Sequence, residues 1–419
     1  MKNRNEKSPR RDDGRKLARV VRLFFFSAFL LLALKDYAWQ GFVLALAVPA
    51  MISVGTNLLP RLFPVDKLLM SLANFLCGLG VLTLYATNPS YAYMQATYYG
   101  VGLIAMVICI YLVRLVKRWH GLVLLMMPVS LALLALPLAI GQETYGAKNW
   151  FYVAGISVQP SEIVKLSLLL VLSFYMSRHR MMTWLVFAVG CLGLLMLQKD
   201  LGTALMYYGV TLMLYYVSSS NLVITGFGLL GGGGAAVVGY SMFAHVKKRV
   251  AIWQNPWSDF EGDGYQIIQS LMALASGGFF GVGLGLGYPT IIPVYHTDFI
   301  FAVICEQFGL LFGLCVLAMY VALIWRGASI AMAARSSFHG LLAMGCTAMI
   351  ALQTFTIIGG VIKLIPLTGV TMPFVSYGGT SLVSSLCLLG LLQGVASRNE
   401  ADLDEDTRLA MLGSQEEAA

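Results

Sequence analysis

Long apolar runs recur along nearly the whole chain, separated by short polar segments. A helix needs about 20 mostly apolar residues to cross a bilayer, and these runs lack the alternation of barrel strands, so they predict helices. Twelve spans are predicted, at about 21–35, 40–58, 67–87, 95–115, 121–140, 162–177, 182–197, 201–218, 222–243, 299–325, 338–361 and 379–396. The predicted fold class is therefore all-α, a polytopic membrane helix bundle.

Composition supports this prediction and narrows the chemistry. Of the 419 residues, 58% are hydrophobic and 11% charged, with a mean hydropathy of +0.77, which excludes a signal peptide followed by a soluble domain. The seven cysteines lie in apolar runs without a C-x-x-C pair, which is typical of small buried hydrophobes. The motifs of zinc proteases, P-loop ATPases and α/β-hydrolases are missing. Any chemistry must use energy carried by the substrate or by an ion gradient.

Lysine and arginine predict the orientation. The tail 1–20 and the segments 114–118, 178–180 and 326–335 are basic and fall on one side if the twelve spans alternate, so that side is the cytoplasm, with both termini. The net charge of +8 indicates topology and contact with anionic membrane lipid, not nucleic-acid binding. Two long segments, 141–161 and 244–298, are then extracytoplasmic.

The large extracytoplasmic loop at about 244–298 carries cations and aromatics, then a helix-like stretch over 266–275 and a glycine-rich stretch over 276–287. A loop of this length is commonly functional or disordered, and its content argues against disorder. It ends at Asp298, an acid at the head of an apolar run with His296 and Thr297 beside it. A carboxylate in this position is a candidate functional group.

Seven blocks of the sequence carry a resemblance. They are Gly146-Ala-Lys-Asn-Trp150, Gln159-Pro-Ser-Glu162 with Lys165, Gln198-Lys-Asp-Leu-Gly-Thr-Ala204, Gly264-Tyr-Gln-Ile-Ile-Gln-Ser270, Ser276-Gly-Gly278, His296-Thr-Asp-Phe-Ile-Phe301 and Pro373-Phe-Val-Ser-Tyr-Gly-Gly-Thr-Ser381. With these blocks in order over about 67–396, the chain resembles the SEDS family of RodA, FtsW and SpoVE, polytopic proteins of bacterial elongation, division and sporulation.

The resemblance implies a peptidoglycan glycosyltransferase that polymerises lipid II at the outer face of the bacterial cytoplasmic membrane, usually with a class B penicillin-binding protein as partner. It also implies a ten-helix core, which here spans 67–396. A basic tail at 1–20 and two extra N-terminal helices at 21–66 precede this core, and an acidic cytoplasmic tail at 397–419 follows it. The extra helices carry nothing polar that suggests a site, so lipid-facing packing is the simpler interpretation. Which morphogenetic process the chain serves stays open.

Moving a sugar from a lipid diphosphate to a hydroxyl requires a base and positive charge for the departing diphosphate, but no nucleotide. Asp298 is the candidate base, and the resemblance places the family's important aspartate there. The alternative is a carboxylate that merely stabilises the start of the following helix. Glu306 is a poor glycosidase-type partner, since eight residues span about 12 Å along a helix, more than the roughly 5–9.5 Å of paired carboxylates.

Candidates for the diphosphate are outer cations, whose alternative role is contact with lipid headgroups: Lys148, Lys247, Lys248, Arg249 and Lys363. A divalent cation, Mg²⁺ or Mn²⁺, is a candidate cofactor, with Asp298 and Asp259 or Asp263 as oxygen ligands, although the sequence has no dense carboxylate cluster. Two of these cations, Lys148 and Arg249, also belong to the predicted substrate-binding set. The full set is Lys148, Trp150, Arg249, Gln266, Ser270, His296, Thr297 and Ser376. Trp150 either stacks on a sugar or anchors at the interface.

Four further charged residues are predicted to support the site. Glu162 and Lys165 are three apart and predict an ion pair on one helix, and Asp200 predicts an N-cap for the next span. Glu306 is interpreted as a buried structural or proton-relay group. The glycines at 231–234 predict a close helix contact, with a substrate gate as the alternative.

Three positions depart from the family pattern: Lys199 replaces the common proline of the Gln-Pro-Asp block, Val294 stands where glutamate is frequent, and Gln307 replaces a second glutamate. Two other functions stay open. One is a lipid II flippase, although no internal repeat is evident. The other is a non-catalytic scaffold for a penicillin-binding protein, with the acidic residues 400–406, Glu416 and Glu417 as a docking segment.

Overall fold

The computed structural model describes residues 9–36, 39–144, 147–153 and 156–416, so Gly146, Glu417 and the first eight residues of the basic tail lie outside the described residues. The described chain is a helix bundle with one small sheet. Its helices are α1 (Pro9–Asp36), α2 (Trp39–Ser53), α3 (Leu59–Leu62), α4 (Lys67–Thr87), α5 (Pro89–Leu115), α6 (Trp119–Ile140), α7 (Pro160–Met176), α8 (Met181–Leu197), α9 (Leu201–Ser219), α10 (Leu222–Met242), α11 (Ala244–Gln254), α12 (Asp263–Gly277), α13 (Ile300–Phe308), α14 (Leu310–Met332), α15 (Ser337–Val361) and α16 (Gly379–Glu416).

Eight helical stretches in the described part of the chain are long and apolar enough to cross a membrane, and α8 is a shorter apolar helix. This confirms the predicted fold class, an all-α membrane bundle. The predicted count of twelve spans is not confirmed. Two of the predicted spans, at 162–177 and 182–197, form α7 and α8 of 17 residues each, which is at the short end of what a bilayer requires.

Burial separates a central group of helices from the periphery. In α4, α15 and the Gly379–Leu403 part of α16, 78% of the most apolar window is buried, against 6% in α10. α10 therefore faces outward along most of its surface. Gly232 in α10 packs against the Tyr208 ring, while Gly233 and Gly234 have open space beside them, so the predicted close contact holds at one glycine.

The two predicted extra N-terminal helices are present as α1 and α2, which form a hairpin on α4. Gly41 lies so close to Ala33 that a Cβ at this position would meet the Ala33 Cβ at 2.5 Å. A π turn over Val54–Leu58 and the short α3 lead from the hairpin to α4. At the C-terminal end of α1, Lys35 Nζ donates to the Gly285 carbonyl at 3.2 Å. The hairpin thus contacts the glycine-rich part of the large loop.

The structure corrects one predicted span and adds two features that were not predicted. The predicted span 299–325 is two helices, because Gly309 between α13 and α14 has φ 87° and interrupts the helical backbone. The segment 141–161 forms an antiparallel sheet of β1 (Gln142–Thr144), β2 (Ala147–Val153) and β3 (Ile156–Val158), in the order β1-β2-β3. The predicted tail from 397 continues α16 as far as Glu416.

The large loop is ordered around two helices, α11 and α12, and the helix predicted over 266–275 is confirmed by α12. Short 3₁₀ turns at Pro256–Asp259 and Pro289–Ile291 lie among its other segments. The glycine-rich stretch runs beside α13: Val282 N donates to the Glu306 carbonyl at 2.9 Å and Gly283 N to the Gln307 carbonyl at 3.0 Å. These bonds fix the loop against the bundle.

The turn between α8 and α9 contains Lys199 in a left-handed conformation, with φ 60°. Lys199 N donates to the Met196 carbonyl at 3.1 Å, and Asp200 N donates to the Leu195 carbonyl at 3.0 Å. Proline has no N–H and a φ fixed near about −65°, so it does not fit this turn. Lys199 therefore stands in a turn that proline would not adopt.

Candidate functional site

A connector between α15 and α16, residues 362–378, brings the candidate residues together. Its left-handed residues are Lys363, Gly369 and Phe374. Its residues form hydrogen bonds with α11, with the loop residues His296 and Thr297, and with the start of α16. Because the connector is neither helix nor strand, its hydrogen bonds to neighbouring elements hold it in place.

Asp298 lies beside the connector, where a Cβ at Gly369 would stand 3.9 Å from Asp298 Oδ2. Burial raises the pKa of Asp298 to about 6, although the Arg249 charge and a hydrogen bond from Thr297 both lower it. Desolvation thus outweighs an adjacent cation, while part of the residue remains exposed. The carboxyl can take up a proton near neutral pH.

Asp298 does not cap the helix that follows it, and its alternative role, stabilising the start of that helix through its charge, stays a prediction. α13 begins at Ile300 after Phe299, and no side-chain hydrogen bond caps this end among the described residues. Asp298 precedes the capping position and belongs to the loop instead. Capping therefore does not explain why a carboxylate stands here.

Arg249 is the cation whose charge acts on Asp298 and lowers its pKa. Its Nη1 donates to the Thr368 carbonyl at 3.2 Å, next to Gly369. Trp253, one turn along α11, donates through Nε1 to the Lys363 carbonyl at 3.1 Å. These two contacts hold α11 against the connector, and the Arg249 side chain stays exposed. A guanidinium in this position can bind an anion that approaches Asp298.

The backbone around Asp298 is bonded to the connector on its other side. Ser376 Oγ donates to the Thr297 carbonyl at 2.7 Å and accepts from Met372 N at 2.8 Å. Tyr377 N donates to the His296 carbonyl at 2.9 Å. The predicted residues His296, Thr297 and Ser376 therefore meet at Asp298, and all three position the loop that carries it.

The His296 ring stacks on Tyr91 and meets the Tyr377 ring edge-on. Its centroid is 4.7 Å from that of Tyr91 with an interplanar angle of 25°, and 5.5 Å from that of Tyr377. Burial lowers the pKa of His296 below its usual value, so the ring is neutral at pH 7. Its Nδ1 and the Thr368 hydroxyl are buried without a hydrogen-bond partner among the described residues. Both atoms therefore have unused hydrogen-bonding capacity.

A second wall of the site comes from the α8–α9 turn and the sheet. Asp200 caps α9 as predicted, accepting from Thr203 N at 3.1 Å, and its other oxygen accepts from Asn149 Nδ2 at 2.9 Å. Lys148 N donates to the Gln198 carbonyl at 3.1 Å, which leaves the exposed Lys148 side chain beside this turn. Trp150 follows on the same strand, half-buried.

This wall is joined to the connector by close packing. Gly202 lies against the connector so tightly that a Cβ there would meet the Thr368 carbonyl oxygen at 2.6 Å. The same carbonyl accepts from Arg249. The sheet, the α8–α9 turn and α11 therefore all border the segment next to Asp298.

Glu162 and Lys165 form the predicted ion pair, at 2.5 Å between Lys165 Nζ and Glu162 Oε2, with side chains 11% and 3% exposed. The same oxygen accepts from Ser384 Oγ at 2.6 Å. Ser384 also binds the Ser381 carbonyl, and Ser381 Oγ is 2.5 Å from Thr371 Oγ1 in the connector. The pair thus fixes α16 and the connector to α7.

Other predicted residues lie elsewhere. Gln266 and Ser270 are on α12, and Ser270 is fully buried without a hydrogen-bond partner among the described residues. Glu306 lies at the far end of α13 from Asp298 and accepts from Tyr288 N at 3.1 Å, a structural contact with the glycine-rich loop. No hydrogen bond or ion pair in the described part of the chain joins these three to Asp298.

The remaining outer cations differ in what they contact. Lys248 pairs with Asp263 at 2.9 Å and more loosely with Asp259 at 3.9 Å. These ion pairs raise the pKa of Lys248. Lys363 Nζ donates to the Gln254 carbonyl at 3.4 Å. Lys247 is exposed.

Metal binding stays a prediction. Within the described ranges, no three residues among His, Cys, Asp and Glu come close enough together to form a metal site. Asp259 and Asp263, the suggested oxygen ligands besides Asp298, bind Lys248 instead. A cation at Asp298 would therefore need most of its ligands from water or from a bound diphosphate.

Sequence reasoning missed Tyr91, Tyr377, Thr368 and Lys199 as members of this site. Tyr377 is inside a matched block, so the block itself was a usable signal. Lys199 lies in another matched block. Burial, the Arg249 charge and the Lys199 charge together lower the pKa of His245 on α11. Tyr91 and Thr368 have no signal in the sequence, because only the fold brings them to His296 and Arg249.

The profile of a family described as cell cycle protein, which groups FtsW, RodA and SpoVE, matches residues 68–401. The chain belongs to this family. The extent of the match confirms the resemblance, and it starts after the N-terminal hairpin, within one residue of the predicted start of the core at 67.

Relatives of this family are similar over most of the chain. The peptidoglycan glycosyltransferase RodA of Mycobacterium tuberculosis (strain ATCC 25618 / H37Rv) is 38% identical over 298 residues, 66% of this chain. The match spans 62% of that relative's own length. Stage V sporulation protein E of Bacillus subtilis (strain 168) is 33% identical over 356 residues, covering 79% of this chain and 96% of that protein.

Two solved structures have the same fold. A chain from a study of the structural coordination of polymerization and crosslinking by a peptidoglycan synthase complex superimposes with a TM-score of 0.69 at 28% identity, covering 80% of this chain and 98% of that one. The Thermus thermophilus rod shape determining protein RodA gives a TM-score of 0.61 at 27% identity, with coverage of 80% and 98%. The chain is accordingly an integral membrane protein with the architecture of this family.

Proposed function

We propose that this protein is a peptidoglycan glycosyltransferase that polymerises lipid II. The observation that carries the proposal is Asp298, a carboxyl whose pKa burial raises to about 6, held beside the Arg249 guanidinium. A base and a cation side by side are what sugar transfer from a diphosphate requires. The names of the family's curated relatives support the same activity.

In the proposed reaction, the hydroxyl oxygen of the acceptor sugar attacks the anomeric carbon of the donor sugar. The hydroxyl proton passes to the Asp298 carboxylate as the carbon–oxygen bond forms. The bond from the anomeric carbon to the diphosphate breaks, and the diphosphate leaves with the electron pair. Arg249 stabilises the negative charge that develops on it, aided by the exposed lysines Lys148 and Lys199 on the opposite wall. A divalent cation, Mg²⁺ or Mn²⁺, would share this task.

We place the reaction at the outer face of the bacterial cytoplasmic membrane. The basic segments at 114–118, 178–180 and 326–335 lie at one end of the bundle, and α6 and α7 run from that end to the sheet and Glu162. The positive-inside rule assigns the basic end to the cytoplasm. Asp298 and the sheet are then outside, with both termini cytoplasmic, and a class B penicillin-binding protein is the expected partner.

The test is polymer formation from lipid II. The purified full chain, with a class B penicillin-binding protein whose transpeptidase serine is replaced by alanine, should convert lipid II into glycan strands that separate on a gel. The partner alone is the control and should give none. Absence of polymer in the complete mixture, with Mg²⁺ or Mn²⁺ supplied, would contradict the proposal and favour the flippase or scaffold functions.

The rate should depend on pH through Asp298. A base acts when deprotonated, so below its pKa of about 6 the rate should fall about tenfold for each pH unit, and above it the rate should level off. Initial rates between pH 4.5 and 8 would measure this. Because His296 also titrates in the acid range, His296→Gln is the control: it should change the maximum rate and leave the midpoint in place.

Replacing Arg249 should weaken the reaction without abolishing it. Arg249→Gln removes the positive charge that acts on Asp298, and we expect kcat/KM to fall by about 10- to 100-fold, because a charge-assisted contact contributes roughly 1.5–3 kcal/mol. The matched control is Lys247→Gln, an exposed cation two residues earlier on α11. Equal losses in both variants would mean that general surface charge matters, and not the position of Arg249.

A further inference from the structure

A cavity lies at the end of the bundle opposite Asp298. It has a volume of about 630 Å³ and is bordered by the start of α6, the end of α7, the start of α15 and Arg398 in α16. α6 separates this cavity from the sheet, since it begins here at Trp119 and ends at Ile140, about 33 Å away for 22 residues. The proposed polymerisation has no use for this cavity.

Four cations from three separate parts of the chain converge on the cavity. Its lining includes Lys117, Arg118, Arg178 and Arg398. Within the described residues none of them has a carboxylate within ion-pair distance. The Arg178 guanidinium stacks on the Phe174 ring at 3.7 Å from its centroid, which fixes one of the charges in position. Among the described residues, the charge of Asp402 acts on His339 in the cavity wall.

Two buried polar side chains also line this cavity. Trp119 and His339 are each 6% exposed, and neither Trp119 Nε1 nor either ring nitrogen of His339 has a hydrogen-bond partner in the described part of the chain. Packing with aromatic neighbours holds both rings: the Trp119 ring is 5.1 Å from Phe338, and Phe338 is 4.9 Å from His339. Buried donors without a protein partner are costly unless a ligand or water binds them.

The positive-inside rule explains why cations are frequent at this end, but not why they surround a cavity. Topology depends on the number of lysines and arginines in the loops, wherever their side chains point. Arg326 and Arg335, at the same end, have acidic partners, Asp66 at 2.6 Å and Asp406. The cavity cations have none among the described residues. This difference singles out the cavity.

We propose that this cavity is a binding site for a phosphate-bearing anion. The four cations would bind the phosphate oxygens, and Trp119 and His339 would donate hydrogen bonds from the cavity wall. Phosphate of this kind is supplied by the headgroup of an anionic phospholipid in the adjoining leaflet or by a soluble phosphate compound. Basic pockets between helices at this side of a membrane commonly bind lipid headgroups.

The experiment uses the full chain, delipidated in detergent, with phosphatidylglycerol added and bound lipids counted by native mass spectrometry. Diacylglycerol, which lacks the phosphate, should not bind. The double variant Arg178→Gln/Arg398→Gln should bind phosphatidylglycerol about tenfold or more weakly, since each lost cation weakens headgroup binding severalfold. The matched control, Arg61→Gln/Arg180→Gln, removes the same charge from exposed positions outside the cavity and should bind as the unaltered protein does.

A second variant guards against misfolding, because Arg178 also packs on Phe174. Lys117→Gln/Arg118→Gln changes only exposed side chains of the cavity and should weaken binding similarly at an unchanged melting temperature. Equal binding by the cavity variants and the control would overturn the proposal. Inorganic pyrophosphate, tested by thermal shift, separates the sources: stabilisation lost in the cavity variants indicates a soluble ligand, whereas binding of phosphatidylglycerol alone indicates a lipid headgroup.

Discussion

Asp298→Asn is expected to lower polymer formation from lipid II by about 10²- to 10⁴-fold, the usual contribution of a positioned general base. Asparagine keeps the size and most contacts of the side chain but cannot take the acceptor's proton. Arg249 still binds Thr368 in this variant, so substrate affinity should change far less than the maximum rate. Initial rates with lipid II, measured in complex with the partner, would separate the two quantities.

The control for this prediction is Asp263→Asn. Asp263 is an exposed carboxylate of the same large loop, it pairs with Lys248, and it lies at the start of α12. Its loss should leave the rate within about twofold, since an exposed ion pair contributes about 0–1 kcal/mol. Both variants should melt at the temperature of the unaltered protein. Full activity of a folded Asp298→Asn would remove Asp298 as the base.

The largest expected effect on stability comes from Glu162→Gln. This change leaves Lys165 charged and 3% exposed without its partner, and breaking a buried pair in this way costs about 3–5 kcal/mol. The bond from Ser384, which joins α16 to α7, is also weakened. We expect a lower melting temperature and a lower midpoint in chemical denaturation of the purified protein in detergent.

A double variant tests whether the unpaired charge is the cause. Glu162→Gln/Lys165→Met removes both charges and should recover most of the lost stability, because an uncharged pair of similar volume carries no desolvation penalty. Glu261→Gln, at an exposed loop position, should have little effect. If the double variant were as unstable as Glu162→Gln alone, the hydrogen bond from Ser384 would matter more than the ion pair.

Features that depend on neighbours along the chain were predictable. The Glu162–Lys165 pair follows from a spacing of three on a helix, and the Asp200 cap follows from its place before an apolar run. Asp298 could be chosen because a carboxylate at the head of such a run is costly without a role. These inferences need only helix geometry and the energetics of burial.

Features that depend on the fold were not predictable. Arg249 meets the Thr368 carbonyl across 119 residues, and His296 stacks on Tyr91 across the bundle, contacts that no periodicity encodes. The helix break at Gly309 could not be predicted from hydropathy, because the residues on both sides of it are apolar. The apolar run continues past Gly309 although the helix ends there. The sheet at 142–158 was missed because its strands are as short as three residues.

The left-handed turn at Lys199 has a consequence for how this branch of the family can change. Proline at this position would lose the bond to Met196 and require a different φ, so it fits only if the turn has a different conformation. Grafting a version of this block that carries proline into the chain therefore requires exchanging the whole turn.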